Sequence, residues 1–356
     1  MFRDQPSQIL AQVRSRRREV ERMVNIGGRP VIVSSSNPRR SETHRSDKLK
    51  LVLAFAAIYL VWGSTYLAIR YAVETIPPLV TAAIRHSIAG SVMLAWAYAR
   101  GYRAKRQHWI AGAVLGALFF LIGHGSLHWA EQHVASGLAA LLIATEPMFI
   151  LVLAWASGQQ RISRLSALGL AIGVIGVAIL TGVEVSSKNA SLIGLLAVLA
   201  GSLSWSAGVV ISPKLKLPTD ALARTAVPLI CGAAMLMIAS ALTGEFRELH
   251  WSAVSMRSIF GLGYLIAFGS IVAFTAYTWL LQRCPPALVA THTYANPVIA
   301  VLLGWLIASE PLTPRVALAS VAILGAIVLI RRGERGNEAR VPASRTREAK
   351  TYEQCA

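Results

Sequence analysis

From Leu49 onward the chain alternates apolar stretches with short polar connections. Each stretch runs about 20 residues, enough for a helix to cross a hydrocarbon core of roughly 30 Å. The pattern predicts ten helices, over residues 49–70, 79–99, 109–130, 134–156, 165–182, 191–212, 222–243, 258–282, 287–308 and 315–331. Proline and glycine mark the connections, at Pro77-Pro78, Gly101, Gly158, Pro213, Gly244, Pro285-Pro286 and Pro311, where the chain must leave helical geometry. Residues 1–47 and 332–356 carry no such stretch. They read as cytoplasmic tails, the first basic and unstructured.

Shifting the chain by 150 residues aligns Trp129 with Trp279, Gln132 with Gln282, Pro147 with Pro297 and Trp155 with Trp305. Paired tryptophans and a paired mid-helix proline do not follow from apolar composition alone. The repeat sets residues 49–182, the first five helices, against 191–331, the second five. An odd number of crossings makes the second unit enter from the opposite face, so the repeat is inverted. Inverted repeats recur in secondary transporters, with the substrate site near the midplane between the halves. The fold expected is therefore an all-α integral membrane protein of ten transmembrane helices in two inverted five-helix repeats.

Composition sharpens this reading. The chain is 54% hydrophobic and 15% charged, with mean hydropathy +0.53, whereas a soluble domain carries about 25% charged residues. A soluble enzyme, a secreted disulfide scaffold and a disordered chain are excluded. A net charge of +18 would fit nucleic acid, but the charge sits in the tails and connections. With the N-terminus inside, the inner connections hold Arg100, Arg103, Lys105, Arg106, Arg161, Arg164, Lys214, Lys216, Arg224 and Arg283. The outer ones hold only Lys188, Arg247, Arg257 and Arg315. This bias places both termini in the cytoplasm. The partners expected are a small-molecule substrate and the lipid bilayer, not nucleic acid.

Ionisable residues inside the spans carry the candidate chemistry, because a charge at the bilayer centre costs about 2.5–3.5 kcal/mol on insertion scales. Glu146 lies midway along the fourth stretch. Pro147 follows it and leaves the Ile143 carbonyl without its helical donor. A carboxyl beside a freed carbonyl suits a proton, a cation or a substrate amine. The alternative is a neutral, hydrogen-bonded Glu that holds helices together. Asn296 before Pro297 is the repeat mate, with His292 one turn away and Tyr294 nearby, and this polar run reads equally as helix–helix hydrogen bonding. Proline-interrupted helices at matched positions point to the binding site. Arg85 either snorkels outward or meets a substrate carboxylate, in which case a zwitterion would span Arg85 and Glu146. Trp62, Trp205 and Tyr66 are candidates to line the pathway, although most membrane tryptophans pack or anchor. His124 and His128 share a helix face, but no third metal ligand lies at a diagnostic spacing. No Gly-Lys-Ser/Thr phosphate loop is present, so no ATP-driven cycle, catalytic residue, cofactor or metal is expected.

The run Val61-Trp-Gly-Ser-Thr-Tyr-Leu-Ala-Ile-Arg70, then Pro78 and Ile84-Arg85, resembles the opening of EamA-type proteins of the drug/metabolite transporter superfamily. Glu146-Pro147, Asn296-Pro297 and Glu310-Pro311-Leu312-Thr313 resemble that family's two repeated modules. The resemblance covers about residues 49–331 and departs at Gln160, where the mate of Glu310 is often an acid. It implies an exporter of small metabolites or amino acids in the cytoplasmic membrane. A proton-coupled multidrug exporter is the alternative within the class, and an intramembrane metal-dependent enzyme using His124, His128 and Glu146 is the alternative outside it.

Overall fold

The computed structural model describes residues 23–26, 29–32, 49–184, 192–281, 283–284, 289 and 291–338. Within the segment read as an unstructured tail, strands β1 (Met23–Ile26) and β2 (Arg29–Ile32) pair antiparallel, with Val24 opposite Val31. The sequence signal was available, since a Gly-Gly pair between two β-branched runs favours a hairpin. The hairpin belongs to a separate unit, residues 1–50.

The rest is helical. The helices are α1 (Leu49–Ala72), α2 (Pro78–Ala99), α3 (Arg106–Ala130), α4 (Ser136–Ile143), α5 (Glu146–Ala156), α6 (Arg164–Glu184), α7 (Leu192–Ile211), α8 (Ala221–Thr243), α9 (Met256–Leu280), α10 (His292–Ala308) and α11 (Pro314–Glu338). Among the described residues eight spans are long and apolar enough to cross a membrane, with α4 and α5 together making one. Arg164–Ile179 of α6 and Ala295–Ala308 of α10 are apolar too, but shorter among the described residues.

Small residues set the closest approaches. A Cβ on Gly169 would lie 2.8 Å from the Ala326 carbonyl, and one on Gly176 would lie 2.9 Å from Ile323. Thus α6 lies directly against α11, as its small-residue face requires. Trp155, Trp305, Leu242 and Val321 stay exposed on the outside of the bundle, where an apolar exterior suits lipid. Three spans contain π-helical turns, at Ala57–Val61 in α1, Gly116–His124 in α3 and Leu265–Val272 in α9. Such turns shift side-chain direction and often mark functional regions.

Polar contacts tie the chain together at the end of the bundle where α1 finishes and α2 begins. Glu310, after α10, accepts from Arg70 Nη1 at 2.8 Å, from the Ser136 N–H and Oγ at 2.8 Å each, and from the Gly137 N–H at 3.0 Å. It pairs with α1 and caps α4 at once. Glu245 caps α2 in the same way, accepting from Leu79 and Val80 at 2.9 and 3.0 Å. Thr75 donates to Ser258, which donates to the Tyr71 carbonyl. Arg257 pairs with Glu74 across the same end. Gln160, at the position matching Glu310, has a buried Nε2 with no partner among the described residues.

Candidate functional site

A cavity of about 310 Å³ lies between the helices. Toward the Glu310 end it stops at Ile69, Leu127 and Ala140, and toward the other end it reaches Val209 and Arg331. Its walls include Trp62, Tyr66, Arg85, Glu146, Pro147, His292, Asn296 and Pro297. The side chains expected from the sequence to bind substrate or a coupling ion thus meet in one place except Tyr294, whose side chain lies outside the described residues.

Arg85 does not snorkel. It is 2% exposed, and its Nε donates to Ser270 Oγ at 3.0 Å. Ser270 lies in the π-helical part of α9, beside Gly269. A Cβ at Gly269 would lie 3.3 Å from Arg85 Nη2 and 2.9 Å from Thr65, so glycine makes the berth for the guanidinium. Nη1 is buried with no partner among the described residues. An orphan donor on a permanent cation is costly, and its position on the cavity wall is where an anionic ligand group would satisfy it.

Glu146 opens α5, directly after a break at Ala144 and Thr145. Pro147 explains the break, since it cannot donate to Ile143. Thr145 Oγ1 donates to the Leu142 carbonyl at 2.6 Å and Ser206 Oγ to the Glu146 carbonyl at 3.2 Å, so neighbouring hydroxyls stabilise the irregular backbone. No hydrogen bond from the protein to the carboxylate is found among the described residues. A carboxylate in a first helical turn is favoured by the helix dipole. Arg85 and Glu146 face one cavity and do not pair with each other, and the Tyr66 ring stands within electrostatic range of both.

Asn296 behaves differently from its repeat mate. With its amide oxygen toward His292 Nδ1 at 3.2 Å, its nitrogen donates to the carbonyls of His292 at 3.0 Å and Tyr59 at 3.2 Å. Its polar atoms are spent on joining α10 to α1. Pro297 lies inside α10, which runs from His292 to Ala308, and residues 285–288 and 290 just before it lie outside the described residues. Trp62 Nε1 donates to the Gly269 carbonyl at 3.0 Å, and the ring packs edge-on against His292 at 4.8 Å.

His124 also lines the cavity, stacked on Trp205 with ring centroids 5.3 Å apart and an interplanar angle of 10°. Its Nδ1 meets His86 Nε2 at 2.9 Å, while His128 Nδ1 donates to the His124 carbonyl at 2.7 Å. These histidines serve one another and the backbone. Among the described residues no three His, Cys, Asp or Glu side chains come together to hold a metal. Tyr277 and Phe274 of α9 complete the aromatic wall, and nothing in their local sequence distinguishes them from packing residues.

A model described as the EamA-like transporter family matches residues 49–182 and 192–332. The chain is 36% identical over 288 residues to the Uncharacterized inner membrane transporter YedA of Escherichia coli strain K12, covering 80% of this chain and 92% of that protein. It is 26% identical over 279 residues to the Uncharacterized transporter YoaV of Bacillus subtilis strain 168, covering 77% and 94%. A solved crystal structure shares the fold, with a TM-score of 0.56 at 23% identity over 82% of this chain and 98% of that one. The two matched segments cover most of the chain and the relatives are named as transporters, so this chain belongs to the EamA-like transporter family.

Proposed function

We propose that the protein is a secondary transporter of the cytoplasmic membrane that exports small zwitterionic metabolites, amino acids among them, by alternating access. The observation that carries this reading is the pair of unsatisfied groups on one cavity. Arg85 offers a buried donor and Glu146 a carboxyl group, each without a hydrogen-bond partner among the described residues. A substrate carboxylate would satisfy the first and an ammonium group the second. A cavity of about 310 Å³ falls at the small end of the range for ligand sites.

The same reading takes ten spans in two inverted repeats, with α6 and α10 completing the set. The π-helical turns of α3 and α9 support it, since Gly116–His124 and Leu265–Val272 fall nearly 150 residues apart, the offset of the sequence repeat. Trp155 and Trp305, another repeat pair, are both half-exposed. The positive-inside bias places both termini and the Arg331 end in the cytoplasm. The cavity is then open to the cytoplasm and closed outward beneath Glu310 and Arg70. The aromatic wall of Trp62, Trp205, Phe274 and Tyr277 also suits an organic cation, which supports multidrug export as the second reading. In that case Arg85 repels the ligand.

The test is extracellular and intracellular metabolite profiling of cells making the wild type, Glu146→Gln or Arg85→Ala at matched membrane levels. Zwitterions moved outward by the wild type only are expected. A charge-assisted hydrogen bond of about 2 kcal/mol predicts a loss of about 30-fold in apparent affinity for Arg85→Ala. Efflux of hydrophobic cations improved by Arg85→Ala would instead select the multidrug reading. Unchanged zwitterion export in both variants would remove the pair from the mechanism.

A further inference from the structure

A second buried acid lies apart from the cavity. Glu131 follows α3 in the connection to α4 and is 3% exposed, with neither carboxyl oxygen bonded to a group among the described residues. Among the described residues, Arg70 and Tyr66 of α1 and Glu310 of the connection after α10 lie within electrostatic range of it. On its own segment, His133 is exposed and His128 is turned to the His124 carbonyl.

Two carboxyl groups thus share one guanidinium. The hydrogen bonds decide which of them is ionised. Glu310 accepts from four donors, Arg70 Nη1, the Ser136 N–H and Oγ, and the Gly137 N–H, and every one of them stabilises the carboxylate. Glu131 accepts from none among the described residues. An unpartnered carboxylate in such a place costs several kcal/mol, and the group takes up a proton instead. Burial and the charge of Glu310 push the Glu131 carboxyl well above the usual carboxylate range, with Arg70 opposing.

We propose that Glu131 is a proton-binding site that is filled when the Arg70–Glu310 end of the transporter is closed and emptied when that end opens to water. It rests on the alternating-access reading above, and names a proton as the coupling ligand and the closed end as its site. Closure buries Glu131 and requires the proton, whereas opening hydrates it and releases the proton. The transport cycle would then move a proton through a site different from Glu146.

The sign follows from linkage. The carboxyl's proton affinity is higher in the closed form, so closure is favoured fully below the ordinary carboxylate range. That advantage is lost as pH rises toward the raised value of the closed form. The Ser136 and Gly137 amides report on closure directly, since both donate to Glu310. Their hydrogen exchange is to be followed in full-length protein in lipid nanodiscs without substrate, between about pH 5 and 8 and corrected for intrinsic exchange. The wild type should lose protection by up to about tenfold per pH unit. Glu131→Gln, a stand-in for the protonated acid that should fold normally, should stay protected and nearly flat with pH. Equal slopes in the two proteins, a flat wild type, or opening driven by acid, as titration of Glu310 would produce, overturns the proposal. Glu310→Ala serves as the control for opening. If the amides stay closed even there, alternating access at this end fails and takes the proton site with it. If they open with no dependence on Glu131, only the proton site fails.

Discussion

Arg85 and Asn296 are both polar, both buried and both on the cavity wall, yet their hydrogen bonds separate their roles. Arg85 retains a free donor, whereas the Asn296 amide is used on His292 and the Tyr59 carbonyl. Asn296→Ala should therefore lower thermal stability, by about 1–2 kcal/mol for the bonds it gives up, and leave substrate affinity nearly unchanged. Thermal unfolding together with binding at one temperature checks this, and a large loss of affinity at unchanged stability would return Asn296 to the binding set. Legibility in the sequence divides along the same line. Arg85 and Glu146 were found because a charge in an apolar run needs a reason. Asn296 was read as open because its partner on α1 is more than 200 residues away in the chain. Glu131 is not legible in the sequence because an acid in a connection is ordinarily solvated, and its burial within electrostatic range of Arg70 and Glu310 appears only in the fold.

Elements are held in register by contacts that leave no room for substitution. Gly304 on α10 faces the Glu310 carboxylate, and a Cβ there would collide with Oε2. Gly304→Ala should displace Glu310 from both Arg70 and the first turn of α4, and so reproduce the effect of Glu310→Ala. Breaking a largely buried pair and a helix cap together predicts a loss of about 3 kcal/mol, read as a lower unfolding temperature. Full stability in Gly304→Ala would mean that the carboxylate has another way to reach α4. The helices themselves were legible from their apolar length and their proline punctuation. The break before Glu146 follows from Pro147, which removes one helical donor.

At the scale of the whole molecule, one end is tied by ion pairs, hydroxyls and helix caps, while the cavity reaches the opposite end at Val209 and Arg331. The polar seal holds Arg70 and Glu310 where Glu131 senses them, so site and seal are linked through α1, which carries Trp62, Tyr66 and Arg70. The stacking of Trp205 on His124, with Trp62 on the neighbouring wall, has an optical consequence. Two indoles look into the space that a ligand would fill, and the emission of an indole follows its immediate surroundings. The transporter therefore carries its own lamps. Titrating an unlabelled zwitterion should change the intrinsic fluorescence in a saturable way, and Trp205→Phe should remove part of that change while leaving the midpoint within about twofold. A midpoint that moves with Trp205 would mean that the indole itself holds the substrate.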